Sequence, residues 1–317
     1  MIAAPSFIVV ENRRNKALEA CVQSALNAGE KLIILAGTDP GAEYETFAKQ
    51  YVHLSSNSAA FEIICFRRYF LIENYLKATP ACKRFVLVDS DVLLFRGIGE
   101  HFRGIGAKGA SFAGSAIVAP GWDPRQISPH ASYWTREALR GFLDYILKIY
   151  QTPSGIEQLE KINNQFKQRG YRGGVSDMTL LYLWAHEERH VVHSNKKGAL
   201  GVVDHNINLP HNHAENEFKM RGGAKRLNYR HGKPYLTTRE GQRIPALALH
   251  FQGASKIVMR NALLGQQWRF TCKSLCLLWA RNIKQLVFGF QSRNKNKPRL
   301  LPMGGTAPAA EKGGQPP

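Results

Sequence analysis

At the start of the chain, blocks of hydrophobic and polar positions predict a strand, a helix and a second strand. The strand candidates are 6–10 and 31–35, and apolar residues recur at helical spacing through 16–27. A turn rich in Gly and Pro follows at 36–41. This order is typical of a βαβ unit with a right-handed crossover. The pattern therefore predicts an α/β protein.

The same patterns predict further helices and strands downstream. Helices are expected at 61–77, 135–150 and 178–184, the last with Ser176 as its N-cap. Strands are expected directly before Asp89, at 111–118, and in two pieces between 228 and 248. Residues 267–290 fit one helix that carries both basic and apolar residues. These patterns divide the chain into a main domain at 1–262, a basic amphipathic helical segment at 263–292 and a disordered tail at 293–317.

Composition narrows the class of protein and the kind of partner. With 44% hydrophobic residues among 317, the chain can bury a large core. Its formal charge of +19 favours anionic partners, an anionic membrane surface included. Because no nucleic-acid-binding motif accompanies that charge, we expect no specific nucleic acid partner.

Cysteine usage and hydropathy bear on location. The five cysteines are odd in number and lack metal-ligand spacing, which favours a reducing, cytoplasmic location over a disulfide framework or a zinc site. We expect no secretory signal, and no window holds the roughly 20 apolar residues of a spanning helix.

The most informative motif is Asp89-Ser90-Asp91, set between two apolar runs. An apolar run of this kind is typical of a fully buried strand. Burying a carboxylate costs several kcal/mol unless it is paired or bound to a cation. The motif therefore predicts a divalent metal, Mn²⁺ or Mg²⁺, held by Asp89 and Asp91 together with phosphate oxygens.

A second motif, His250-x-x-Gly253-x-x-Lys256, directly follows another apolar run. A neutral imidazole suits Mn²⁺ as a third ligand, which makes His250 a candidate. Gly253 would let the backbone approach a diphosphate, and Lys256 would supply a positive charge for it. A strand-end histidine before a turn glycine is the structural alternative.

Together the two motifs resemble those of GT-A-fold, nucleotide-sugar-dependent glycosyltransferases, in particular the family (glycosyltransferase family 8) of glycogenin and the bacterial lipopolysaccharide galactosyltransferases. The resemblance implies a Rossmann-like fold with a mostly parallel central sheet flanked by helices, followed here by the C-terminal amphipathic helix. It also implies that Asp89, Asp91 and His250 bind Mn²⁺ and the diphosphate of a donor such as a UDP-sugar. The acceptor would be a hydroxyl of a glycan or glycolipid, in cell-surface polysaccharide synthesis.

The resemblance extends to other positions. Arg68, with Arg67 as its rival, matches an arginine that reaches the donor from the helix before the motif. Asp177 matches an aspartate that contacts donor-sugar hydroxyls, and it could instead act as a general base. Because Met178 stands where the family has Gln, retention and inversion both remain open. Asn12, with Glu11 as the alternative, lies where the first strand meets its loop, the usual site for nucleotide contacts.

Four further readings stay open. His130, Tyr133 and Trp134 lie where this fold builds its acceptor wall, but an aromatic cluster at a helix start also fits the core. A haloacid-dehalogenase-like phosphatase would use Asp89 as its nucleophile, although that plan places the motif closer to the N-terminus. A basic protein that binds membranes or nucleic acid without catalysis would explain the charge alone. The helix at 267–290 fits either peripheral membrane association or packing on the domain.

Overall fold

The structure is a computed structural model that describes residues 4–37, 39–189 and 192–295. Its strands are β1 (Ser6–Val10), β2 (Leu32–Leu35), β3 (Arg84–Val88), β4 (Val92–Leu94), β5 (Phe112–Ala116), β6 (Ile127–Thr135), β7 (Val202–Val203), β8 (Met220–Arg221), β9 (Ala224–Lys225), β10 (Leu227–Arg230), β11 (Lys233–Thr237) and β12 (Arg243–His250). Its helices are α1 (Lys16–Ala28), α2 (Ala42–Gln50), α3 (Ala59–Ala78), α4 (Ile98–Ala107), α5 (Arg136–Gln151), α6 (Pro153–Gln168), α7 (Asp177–Glu187), α8 (Met259–Leu263) and α9 (Gln267–Lys295), with a 3₁₀ turn at Gly253–Val258.

The central sheet has the strand order β2-β1-β3-β6-β5. β1 pairs in parallel with β2 and β3, whereas β6 runs antiparallel to both β3 and β5. All its strands except β6 therefore run in one direction. The α/β class expected from the sequence is confirmed, with a mixed sheet flanked by helices.

A second sheet has the strand order β10-β11-β12-β4. After β3 the chain leaves the central sheet, and after Asp91 it joins the second sheet as β4, antiparallel to β12. The Asp89-Ser90-Asp91 motif is thus the connection between the two sheets.

The core explains why the strand before Asp89 is apolar throughout. Val86 and Val88 pack in one hydrophobic cluster, with β4 and β12, whereas Phe85 and Leu87 pack in another, with α3 and α5. Successive side chains of a strand point to opposite faces, so a strand covered on both faces is apolar at every position.

The patterns missed helices α2, α4, α6 and α8 and strand β6. The sequence places His130 at a helix start, but the residue lies in β6, in which Tyr133 and Trp134 are buried core residues. Polar side chains interrupt the apolar pattern expected of a buried strand in β6. They are accommodated in the interior by local hydrogen bonds; Ser132 Oγ, for example, donates to the carbonyl of Pro129. Helix α6 did carry a start signal, a Thr152 N-cap followed by Pro153.

The described residues up to Leu277 form one compact unit, and those from Leu278 onward belong to a second. The predicted C-terminal helix is α9. From residue 296 the predicted tail lies outside the described residues. Within the described ranges, every helix is too short or too polar to cross a lipid bilayer.

Candidate active site

The Asp-x-Asp turn is fixed by backbone hydrogen bonds on both sides. The Asp89 N–H donates to the carbonyl of His130 in β6 at 2.9 Å. The Asp91 carbonyl accepts from the N–H of Phe251, just after β12, also at 2.9 Å. Both carboxylates are therefore held at the edge where the two sheets meet.

His250 reaches the motif because of strand register. β12 runs antiparallel to β4 with His250 opposite Val92, the residue after Asp91. Its Nε2 lies 3.4 Å from Asp91 Oδ1. Ligand atoms of Asp89, Asp91 and His250 all lie within 4.8 Å of one another. The structure thus brings together the residues that the sequence proposed as metal ligands.

The hydrogen bonding of His250 tests whether these residues fit a cation. Its Nδ1 lies 2.6 Å from the carbonyl oxygen of His205, which can only accept, so Nδ1 carries the hydrogen. In the neutral ring, Nε2 therefore points a lone pair at the Asp91 carboxylate. Two acceptors facing each other need a proton or a metal ion between them. Carboxylate and imidazole ligands together suit Mn²⁺, so the residues fit a divalent cation.

Lys256 adds a positive charge to the same carboxylate. Its Nζ lies 3.0 Å from Asp91 Oδ2, on the 3₁₀ turn that begins at Gly253. Burial would raise the pKa of Asp91, but His250 and Lys256 outweigh it and hold that pKa at about 2. Gly253 has a φ of +60°, which favours glycine at this turn.

Arg68 connects the motif to α7. One of its terminal nitrogens lies 2.9 Å from Asp89 Oδ1, and the other donates to Asp177 Oδ2. Arg67, the rival in the sequence, instead lies over the ring of Tyr44. Burial raises the pKa of Asp89 against the effect of Arg68, and the Asp91 charge adds to the rise.

Asp177 is the first residue of α7 and is buried. The preceding residue, Ser176, is the N-cap, and its backbone N–H donates to the side chain of Thr179, as expected for a helix start. Asp177 Oδ2 also accepts from the hydroxyl of Tyr69 at 3.0 Å. The carboxylate is therefore held in place from α3 by two neighbouring side chains.

At the end of β1 the structure brings Glu11 to the motif. Glu11 is buried, and its Oε2 accepts from the hydroxyl of Ser90, between the two aspartates, at 3.0 Å. Asn12, the residue proposed for nucleotide binding, is exposed beside it. Burial opposes ionisation of Glu11, but hydrogen bonds from Arg13 and Ser90 lower its pKa overall.

A buried polar layer behind His250 was missed by the patterns. The ring of His130 stacks on that of His250 at 4.3 Å and 6°, and its Nε2 donates to the carbonyl of Asp204 at 3.0 Å. Asp204 Oδ2 accepts from the backbone N–H of His250, and Oδ1 pairs with Lys225, both side chains being fully buried. The polar run at 204–208 was the only signal in the sequence, and nothing local pointed to Lys225.

His130, His205 and His250 also bring their ring nitrogens within 4.8 Å of one another. Both nitrogens of His130 are engaged, however, with Ser128 and with the Asp204 carbonyl. Burial lowers the pKa of His205 to about 3, so this ring is neutral and could itself ligate a metal. What the three histidines lack is a free nitrogen on His130. The three histidines are therefore better explained as support for His250, and Asp89, Asp91 and His250 remain the candidate cation site.

Comparisons with known proteins give matches at the level of structure only. No protein-family profile matches this chain, and no curated protein sequence does. Mouse xyloside xylosyltransferase 1 is similar in structure at a TM-score of 0.39 and 14% identity, over 60% of this chain and 84% of that one. A glycosyltransferase involved in glycosylation of the major capsid of PBCV-1 is similar at a TM-score of 0.29 and 12% identity, over 47% and 69%.

Proposed function

We propose that this protein is a metal-dependent glycosyltransferase of the GT-A, family-8-like kind. It would move a sugar from a nucleoside diphosphate sugar to a hydroxyl of a glycan or glycolipid. A UDP-sugar is the donor we propose, and cell-surface polysaccharide synthesis is the process. The observation that carries the proposal is the convergence of Asp89, Asp91 and His250 at the junction of the two sheets.

The chemistry requires stabilisation of a departing nucleoside diphosphate. A divalent ion held by Asp89, Asp91 and His250 would supply positive charge to the diphosphate when bound. The Lys256 ammonium lies next to that position and is 44% exposed, so it can also meet a phosphate oxygen. Arg68 holds Asp89 in place through its ion pair.

Asp177 would contact a sugar hydroxyl of the donor or accept the proton of the acceptor hydroxyl. Arg68 and Tyr69 both bond to its Oδ2, which leaves Oδ1 for the substrate. The first role fits retention at the anomeric carbon and the second fits inversion. Product stereochemistry separates the two. Asn12, exposed at the end of β1, and Gly253, on the 3₁₀ turn, would contact the nucleotide.

We extend the proposal to peripheral contact with an anionic membrane surface, through α9. Trp268 and Leu275 are exposed at 67% and 46% and lie two turns apart on one helix face. Arg269 and Lys273 are interspersed with them. Aromatic and basic side chains together are typical of interfacial helices. Sedimentation with anionic vesicles tests this extension, and retention unaffected by Trp268→Ser would contradict it.

The first experiment is calorimetric titration of UDP with and without Mn²⁺. We expect binding that requires the metal and is lost in Asp91→Ala, because that change removes a ligand. Asp144→Ala, which removes an exposed carboxylate on α5, is the matched control and should bind normally.

If UDP fails, other nucleotides are tested under the same conditions. Failure of all of them with Mn²⁺ present would reject the transferase. Hydrolysis of simple phosphoesters that depends on Asp89 alone would then favour the phosphatase.

A further inference from the structure

A strongly basic pocket lies away from the Asp-x-Asp site, beside the β8–β9 hairpin. It has a volume of about 620 Å³ and is lined by Lys219, Met220, Arg221, Arg226 and Arg239. It is open to solvent on one side, so a ligand would enter directly from the surface. Every residue of the lining except Met220 is cationic.

Three backbone connections bring these cations together. Arg226 donates its N–H to the carbonyl of Lys219 at 2.7 Å, which places the two side by side across the hairpin. An antiparallel bridge pairs Phe218 with Thr238, the neighbours of Lys219 and Arg239 in the chain. This bridge brings Arg239 close to Lys219. The hairpin closes through Gly222 and Gly223, both with positive φ, as a two-residue turn of this kind requires.

The pocket and the buried layer behind His250 use opposite faces of one segment. Lys225 points inward to Asp204 and is fully buried. Arg226, the next residue, is exposed and lines the pocket. Successive side chains in extended chain alternate in direction, so the pocket is separate from the candidate active site.

The pocket cations are poorly neutralised by the protein. Among the described residues, neither Arg221 nor Arg226 pairs with a carboxylate, and Arg239 reaches only the amide oxygen of Asn216, at 3.4 Å. The acidic group that acts on Lys219 is Glu240, which is fully exposed. Like charges gathered around one opening repel one another, and a bound anion relieves that repulsion.

We propose that this pocket binds a phosphoryl group. Guanidinium groups match planar or tetrahedral oxyanions through paired N–H donors. A carboxylate ligand would bring only one negative charge to these four cations. A phosphate monoester carries up to two negative charges and three acceptor oxygens, so it matches them better. The phosphoryl group could come from a soluble phosphate compound or from a lipid headgroup.

The test uses the whole chain at low salt with chelator, so that no divalent metal contributes. Binding of inorganic phosphate is followed by phosphorus NMR, which detects weak affinities. We expect Arg221→Gln/Arg226→Gln to weaken binding roughly tenfold or more, as loss of about 1.4 kcal/mol would. The control is Arg230→Gln/Arg243→Gln, which removes equal charge from exposed positions of β10 and β12 outside the pocket.

A second arm identifies the source. Vesicles of phosphatidylcholine with phosphatidic acid, which presents a phosphate monoester, are compared with vesicles containing phosphatidylglycerol. Stronger retention on phosphatidic acid that depends on Arg221 and Arg226 would assign the pocket to a lipid headgroup. Binding of inorganic phosphate without preferential retention on phosphatidic acid would assign it to a soluble phosphate compound.

Equal losses in the pocket variant and the control would overturn the proposal, as would absence of binding in both arms. Metal-dependent UDP binding, measured in parallel, should be unchanged in the pocket variant. If the unmodified protein fails to bind UDP, that result counts against the transferase and not against the pocket.

Discussion

At the scale of single residues, the candidate site depends on which of two adjacent arginines faces inward. Arg68 bonds Asp89 and Asp177, whereas Arg67 lies over Tyr44 on another side of α3. Neighbours on a helix point about 100° apart, so only one of them can reach the motif. The helical rotation, set by packing of α3, decides the choice.

Arg68→Lys should lower kcat/KM by about 10- to 100-fold, because a lysine can satisfy only one of the two carboxylates well. Arg67→Lys is the matched control and should keep full activity. The measurement is transfer from the donor sugar that the UDP experiment leads to, with urea unfolding to confirm that both variants fold. Equal rates in the two variants would contradict the role of Arg68.

A second prediction at this scale concerns His101, whose Nε2 donates to the carbonyl of Ser194 at 3.1 Å. Burial lowers its pKa below the ordinary value, although that hydrogen bond acts in the opposite direction. The unfolded chain then binds the proton first as the pH falls below about 6.5, so His101 contributes to loss of stability on acidification.

We therefore expect His101→Gln to lose less stability than the unmodified protein between pH 7 and pH 5, in urea unfolding. His53→Gln, which changes an exposed histidine, is the matched control. A slope for His101→Gln equal to that of the unmodified protein would show that this residue does not contribute.

At the scale of elements, the pairing of β4 with β12 and the loop after β7 build the site. The pairing sets His250 beside Asp91, and the loop holds His250 through the Asp204 carboxylate and the His205 carbonyl. Asp204 is in turn neutralised by Lys225 at the end of β9. His250 is therefore held in place by strands and a loop from distant parts of the chain.

Lys225→Met should cost about 3–5 kcal/mol of unfolding free energy, because it leaves the buried Asp204 carboxylate without a partner. The double variant Asp204→Asn/Lys225→Met should recover part of that loss. Urea unfolding measures both, with Lys233→Met as an exposed control on β11. A double variant less stable than Lys225→Met would contradict the assignment.

At the scale of the whole molecule, a bound cation should link its site to global stability, because the site joins both sheets. A ligand at 100 times its Kd adds about 2.7 kcal/mol to the free energy of unfolding. For a chain of this size, Mn²⁺ should then raise Tm by on the order of 5 °C, and chelator should reverse the rise.

Asp91→Asn should abolish the Mn²⁺-dependent shift in Tm, whereas Asp144→Asn should retain it. Differential scanning calorimetry with and without chelator makes the comparison. A shift of equal size in both variants would mean that Mn²⁺ binds elsewhere.

Local sequence determined much of the secondary structure and one essential feature of the site. Helical periodicity indicated α3 and α5, and the apolar run before Asp89 indicated a strand buried on both faces. The cost of placing two carboxylates at its end identified the motif. The inferences about α3, α5 and the strand succeed because they depend only on residues adjacent in the chain.

Tertiary structure alone decided how distant residues meet. The nearness of His250 to Asp91 follows from strand register, and the choice of Arg68 over Arg67 follows from the rotation of α3. The Lys225–Asp204 pair follows from a hairpin folded against a loop. Such contacts are set by packing between elements, and no local pattern of hydrophobic and polar residues records which faces will pack together.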